Sequence, residues 1–287
     1  MNARRVVVLG ATGMLGSAVY LHVRDATRYA VAGTHRGRHD VPYRHELLSY
    51  DPLEEPSIGG FVGRGDVVVN CIGVIKPYVE QDRELTVFIN ALYPHRLARE
   101  CRRIGADLIH ISTDCVFSGD RGSYDENAPH DARDLYGKSK SLGEPADCLV
   151  LRTSIIGREP HSGVSLVEWF LTQRGEINGF TNHWWNGLTT RECARVLDQI
   201  IERRLYVDGV RHLFSDTVTK YEMLMSFRRV FHSDVVVRPV NAPERCDRTL
   251  ATTHQDLLPR LTLRPYAEMV HDLLASPVAR RGAARGA

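Results

Sequence analysis

The stretch Arg5-Val6-Val7-Val8-Leu9-Gly10-Ala11-Thr12-Gly13-Met14-Leu15-Gly16 decides the fold. Val6 to Leu9 form an unbroken apolar run, the pattern of a strand buried on both faces of a parallel sheet. Glycines then let the backbone turn sharply, and residues 14 to about 25 read as a helix. Strand, glycine turn and helix start in that order suit a dinucleotide pyrophosphate: the backbone can approach the phosphates, and the helix N-terminus supplies unpaired N–H groups and positive dipole character. The spacing G-x-x-G-x-x-G meets the general G-x-G-x-x-G fingerprint only loosely, and an ordinary tight turn uses the same residues. Position between strand and helix favours the nucleotide reading, with Gly10, Thr12, Gly13, Met14 and Leu15 as the expected contacts.

Outward from this unit, short β-branched runs alternate with helical patterns. Residues 29–33, 47–50, 66–70, 107–112 and 148–152 read as strands, and 85–103 as a helix. This rhythm predicts an α/β fold, a Rossmann-like doubly wound parallel sheet. The alternation fades after residue 157. Residues 164–173, 190–204 and 220–231 read as helices, and 211–214 and 235–237 as short strands. The expected organisation is a nucleotide-binding domain over 1–157 and a smaller C-terminal substrate-binding lobe over 158–276, with the chain free to cross between them. The small, basic segment 277–287 is expected to be a disordered tail.

Composition narrows the function. The 287 residues are 43% hydrophobic, enough for one large α/β domain or for two lobes. Lys+Arg 37 against Asp+Glu 35 leaves a net charge of +2, which argues against a strongly basic nucleic-acid binder. No stretch reaches the roughly 18 apolar residues that span a bilayer, and the N-terminus reads as a first strand instead of a signal peptide. The six cysteines are far apart, without zinc-ligand spacing, and read as free thiols in a reducing compartment. No metal, no nucleic acid, no membrane and a cytoplasmic location are the expectations.

Cofactor choice is written at the end of the second strand. NAD binders place an acid about 20 residues after the glycine turn. Here the strand ends Gly33-Thr34-His35-Arg36, then Gly37 and Arg38, with no acid until Asp40. Cations at that place suit a ribose 2′-phosphate, so His35 and Arg36 are assigned to the cofactor, and the cofactor to NADPH. Solvated loop charges are the alternative reading.

Tyr136-Gly137-Lys138-Ser139-Lys140 puts a tyrosine and a lysine on one helix face. An ammonium at about 4 Å and an effective dielectric near 20 stabilises a phenolate by about 4 kcal/mol, or about three pKa units. That shift would make Tyr136 a competent acid/base. Ser112-Thr113-Asp114-Cys115-Val116-Phe117 places a hydroxyl at a strand end, where doubly wound sheets bind ligands.

With these motifs together, the chain resembles the extended short-chain dehydrogenase/reductase family. Residues 111–119, 124–126 and 136–144 are similar to the dTDP-4-dehydrorhamnose reductases and related nucleotide-sugar reductases. The resemblance covers about residues 5–160 and thins beyond. It implies Thr113, Tyr136 and Lys140 as the catalytic set, and Cys71, Ile72 and Gly73 as a turn along the cofactor. It also implies that Asn90 orders a proton-relay water and that Arg152-Thr153-Ser154 ends a strand beside the nicotinamide. Helix-surface placement is the alternative for Asn90.

Cys115 departs from the reductase pattern, which more often has tyrosine there. Sugar-nucleotide 4,6-dehydratases carry Thr-Asp-Glu at this point, so their base is missing here. GDP-fucose synthase has a cysteine at the corresponding place and a histidine further on, but His161 falls early for that role. Cys115 therefore reads either as an epimerase residue or as a structural thiol, and the expectation is plain hydride transfer. In the second lobe Trp184 and Asn186 could stack on or bind a sugar or base, or equally form the rim of the core between the lobes, and Arg248, with Arg245 beside it, could clamp a diphosphate or be an exposed loop charge. The implied function is NADPH-dependent reduction of a keto group, C4 by resemblance, on a nucleotide-linked deoxysugar. The competing readings are an epimerase or dehydratase that recycles bound NAD(P), and a catalytically silent NADP-binding regulator. A homodimer through sheet-flanking helices is a further expectation.

Overall fold

The computed structural model describes residues 4–37, 41–55, 57–161 and 163–275. The expected tail, Arg38 and Asp40 lie outside the described residues. The strands β1 (Arg4–Leu9), β2 (Tyr29–His35), β3 (Leu48–Ser49), β4 (Val67–Asn70), β5 (Asp107–Thr113) and β6 (Leu149–Thr153) join the later strand Gly209–His212 in one parallel sheet. Its order is Gly209–His212, β6, β5, β4, β1, β2, β3. Strand order reverses between β1 and β4, and such a switch point opens a crevice at the carboxyl ends of the strands.

The valine run explains itself in this setting. Val6 and Val8 pack into one core layer with the helices α1 (Met14–Asp25) and, later in the chain, Thr190–Arg203. Val7 and Leu9 pack into the opposite layer with Tyr93, Leu97 and Cys101. Alternation along the strand thus feeds two apolar layers, and the run has no polar face because neither side meets water.

The expected helix 85–103 is three pieces: α2 (Arg83–Val87), a π-helical turn Phe88–Leu92, and α3 (Tyr93–Ile104). Pro94 in the first turn of α3 has no N–H for the carbonyl of Asn90, which favours a wider turn there. Past residue 157 the chain does not stay in one lobe. Gly209–His212 pairs with β6, and Thr190–Arg203 packs against α1. The remaining strands are short. Val218–Thr219, His183–Trp185 and Cys246–Asp247 form a three-stranded patch, and Val236–Val240 pairs with Glu176–Phe180. The patch is tied to the segment after β5 by the Asp247 N–H donating to the Gly119 carbonyl at 2.7 Å. Among the described residues no helix is long and apolar enough to cross a membrane.

Candidate active site

The glycine turn is built for close approach. Gly10 has φ +78°, and its N–H donates to Thr34 Oγ1 at 3.0 Å. A Cβ on Gly16 would stand 2.1 Å from the Gly10 carbonyl oxygen, so helix and turn can meet only with glycine there. Gly13 caps α1 without a side-chain bond, leaving the first helical N–H groups facing outward. Thr12 is buried, Met14 half-buried, and the Leu15 side chain lies in the core, so Leu15 can offer a ligand only its backbone. His161 reaches back from the later chain and bonds the Thr12 carbonyl through Nε2 at 2.8 Å.

The turn after β4 lies against this loop. Ile72 Cγ1 would be 3.1 Å from a Cβ on Gly10, and the Cys71 N–H donates to the Leu9 carbonyl at 3.1 Å. Asn70 Oδ1 accepts from the Ile72 N–H at 3.1 Å, while its amide nitrogen meets buried His110 Nδ1 at 3.0 Å. Gly73 is exposed beyond it. At the end of β2, His35 Nδ1 accepts from the Gly37 N–H at 2.9 Å, and burial with Arg44 nearby keeps its pKa below the ordinary value. Arg36 Nε lies 3.8 Å from Asp51.

Thr113 ends β5. Its Oγ1 donates to Asp114 Oδ1 and accepts from the Cys115 N–H, both at 3.1 Å. Facing it is α4 (Leu135–Leu142), started by Asp134, whose side chain accepts from the Gly137 N–H at 2.7 Å. A Cβ on Gly137 would sit 2.1 Å from the Cys115 carbonyl oxygen. The glycine between Tyr136 and Lys140 therefore lets the helix lie against the strand-end turn. Thr113, Cys115, Tyr136 and Lys140 are brought together.

The electrostatics differ from the simple expectation. Burial pushes the Tyr136 phenol above its ordinary pKa, with Cys115 adding to the rise and the Thr113 hydroxyl opposing it. Lys140 is buried, donates from Nζ to the Ile111 carbonyl at 2.9 Å, and is pulled down to about 8 by that burial. Desolvation, and not a lysine charge, sets the direction for the phenol. Burial, then the Asp114 carboxyl, pushes the Cys115 thiol up to about 12, so it stays protonated at neutral pH. A protonated thiol is a poor base for epimerisation.

Two residues, Lys76 and Glu144, escaped the sequence reading, and the Asn90 that it did single out is placed here. Lys76 donates to Asp134 at 2.9 Å, with Nζ 5.8 Å from the centre of the Tyr136 ring. Its signal was a Lys-Pro pair just past the β4 turn. Glu144, at the far end of the tyrosine helix, bonds buried Arg152 at 2.9 and 2.7 Å and accepts from Ser112 Oγ. Asn90 is not a helix-surface residue. It is buried in the π-turn, exchanges bonds with the Val74 N–H and carbonyl at 2.8 and 2.9 Å, and donates to Ser139 Oγ at 3.2 Å. It bolts the segment after β4 to α4.

Some expected placements are corrected. At the strand end Arg152-Thr153-Ser154 the Arg152 side chain is turned into the protein, toward Glu144, His130 and His212. Asn186 is buried with both ends of its amide on the backbone of Leu250, at 2.8 and 3.0 Å, and so holds two chain segments together. Trp184 carries Arg245 over its ring at 4.8 Å. Arg248 does reach the site: it donates to the Phe117 carbonyl at 2.9 Å and lies in the field of Cys115 and Asp114. Among the described residues no group of three or more His, Cys, Asp or Glu could hold a metal ion.

A parallel sheet with a glycine turn at its switch point, and a Thr-Tyr-Lys set beside it, defines a short-chain dehydrogenase/reductase type of site. The chain matches the RmlD substrate binding domain over residues 4–274 and belongs to that family. It is 32% identical over 305 residues to the dTDP-4-dehydrorhamnose reductase of Mycolicibacterium smegmatis, covering 96% of this chain and 86% of that one. It is also 32% identical over 249 residues to the methionine adenosyltransferase 2 subunit beta of Danio rerio, covering 80% and 74%. A solved dTDP-4-dehydrorhamnose reductase from Bacillus anthracis, in complex with NADP, superposes with a TM-score of 0.71 at 20% identity, covering 94% of this chain and 98% of that one. That likeness is one of fold.

Proposed function

We propose that the chain is an NADPH-dependent reductase acting on a keto group, at C4, of a nucleotide-linked deoxysugar. The observation that carries this reading is the convergence of Thr113, Tyr136 and Lys140 on the crevice beside the glycine turn. The similarity to dTDP-4-dehydrorhamnose reductase supports the substrate class. The glycine cradle, which a Cβ at Gly16 would fill, fits a dinucleotide pyrophosphate. Gly10, Thr12, Gly13 and the N–H groups of Met14 and Leu15 would hold it, with Cys71, Ile72 and Gly73 along its other side. NADPH would supply the hydride. Thr113 holds the carbonyl oxygen, Tyr136 gives its proton to the nascent alkoxide, and Lys140 keeps a positive charge beneath both. In this division of labour the first 157 residues, with the returning strand Gly209–His212, carry the cofactor. The patch around Trp184 and Arg248 takes the substrate. Six unpaired thiols suit a reducing compartment such as the cytoplasm.

The second reading is a catalytically silent NADP-binding protein that serves as a subunit of another enzyme. The likeness to methionine adenosyltransferase 2 subunit beta favours it. Incubating a panel of 4-keto nucleotide sugars with NADPH separates the two: loss of reduced cofactor with any member supports the reductase, and none with all of them supports the subunit.

Two expected results follow from the site. Arg36→Asp should reverse or abolish a preference for NADPH over NADH, because an acid would meet the 2′-phosphate. Titration of both cofactors against both proteins checks this, and equal NADH binding by the wild type would refute the 2′-phosphate assignment. Lys140 loses its proton as pH rises through about 8 in the free chain. NADPH affinity should therefore be full at pH 7 and fall above pH 8, while Lys140→Met should be weak and flat across the same range. A pH-independent wild-type affinity would count against Lys140 as a cofactor ligand.

A further inference from the structure

The tyrosine helix starts on a carboxylate. Asp134 caps α4 by accepting the Gly137 N–H at Oδ1, 2.7 Å away, and a negative charge suits the positive end of a helix. It is a poor neighbour for Tyr136, two residues on, because a phenol that gives its proton to an alkoxide becomes a phenolate. Burial pushes the Tyr136 pKa up most, and Cys115, Asp114 and Asp134 add to the rise against the Thr113 hydroxyl. The cap is ionised at neutral pH: burial raises the Asp134 pKa, but the Gly137 N–H and then Lys76 more than offset it.

Lys76 answers that charge from another part of the chain. Its Nζ donates at 2.9 Å to Asp134 Oδ2, the oxygen that the helix cap leaves over, and lies 5.8 Å from the centre of the Tyr136 ring. The lysine is carried on a fastened segment. Val74, two residues earlier, exchanges two hydrogen bonds with Asn90, and Asn90 donates to Ser139 Oγ on α4. The stretch after β4 is thus tied to α4 on both sides of Tyr136 in the chain, at Asp134 and at Ser139. The other cations of this region are occupied elsewhere. Lys140 donates to the Ile111 carbonyl, Arg133 pairs with Asp120, and Arg248 acts on Asp134 and Cys115 through space while its Nε bonds the Phe117 carbonyl.

We propose that Lys76 is a positioning residue for Tyr136: it holds the capping carboxylate of Asp134 and stands over the phenol ring, so that the helix keeps its cap while the ring faces a neutralised pair. The charge relation needs no substrate, whereas its effect on turnover rests on the reductase reading. A cation within about 6 Å of a ring centre is drawn to the ring face, and the ring of a phenolate is richer in electrons than that of a phenol. The side chains of Lys76 and Asp134 are 44% and 49% exposed, so water screens the pair and the effect is modest.

The full chain, saturated with NADP and carrying difluorotyrosine in place of Tyr136, brings the phenol's titration into an accessible range, where fluorine NMR follows it. Lys76→Gln should move that titration up by about half a pH unit or more, because Asp134 is left unpaired beside the ring. Asp134→Asn keeps a capping side chain and should move it down, with the double variant near the wild type. Opposite signs are the signature of charge, since a merely structural clasp would loosen in both single variants. With the natural tyrosine, kcat for a reducible sugar should fall by about twofold or more in Lys76→Gln with KM little changed, and Lys76→Arg should restore it. NADP affinity of each variant is the control for folding. An unmoved titration in Lys76→Gln, or an upward shift in Asp134→Asn as well, overturns the proposal. Opposite shifts in a chain that reduces no keto nucleotide sugar support the pair and overturn the reductase reading instead.

Discussion

Tyr136→Phe should keep the fold and the cofactor affinity while losing at least about 10²-fold in turnover, the lower range for a general acid. The phenol is the proton source at the crevice: burial keeps it protonated, with the Thr113 hydroxyl only partly opposing that rise. The neighbouring acids cannot replace it. Cys115 is pushed up to about 12, and Asp114 is buried beneath Thr113, with its oxygen accepting from that hydroxyl. Removing one oxygen leaves the ring packing and the close contact at Gly137 intact, so thermal stability should hardly move. Single-turnover measurement of NADPH loss checks the result, and a fully active variant would sink the acid assignment.

Glu144→Gln should be the most destabilising of the substitutions considered, at about 3 kcal/mol. The side chains of Arg152 and Glu144 are 3% and 5% exposed, and they meet at 2.7 Å. Taking the carboxylate away leaves a guanidinium in the interior with no counter-charge. The same pair ties the end of the tyrosine helix to β6, so turnover should fall with stability. Replacing both partners with apolar residues should cost less than replacing one, because no charge is then left unpaired. Urea denaturation of the single and the double variant checks this. A loss below about 1 kcal/mol for Glu144→Gln would mean that water or His130 compensates Arg152.

Why some of this was legible in the sequence is a matter of distance along the chain. The glycine turn is closed by contacts within about 25 residues, such as Gly10 with Thr34, and its residue types follow from backbone geometry alone. Tyr136 and Lys140 are one helical turn apart, and the valines of β1 need only a sheet covered on both faces. The parts that were not legible depend on long-range pairing. Asn90 meets Ser139 across 49 positions and Asn186 meets Leu250 across 64, and neither asparagine carries a local sign of burial. Strands such as His183–Trp185, Val218–Thr219 and Cys246–Asp247 run only two or three residues, too short for a period to show. The direction in which the Tyr136 phenol shifts was not legible for a related reason. Coulomb attraction can be estimated from spacing, but desolvation depends on everything packed around the pair.

Hydride transfer from NADPH to a keto sugar in this crevice can be followed with an isotopic label. NADPH carrying deuterium on the transferred position should be incubated with the wild type and each 4-keto nucleotide sugar, and the products examined by mass spectrometry and NMR. The product should be one mass unit heavier than with ordinary NADPH, labelled at C4, formed by the wild type and at least about 10²-fold more slowly by Tyr136→Phe. A chain that binds NADPH yet transfers no deuterium to any of these sugars would contradict the reductase reading.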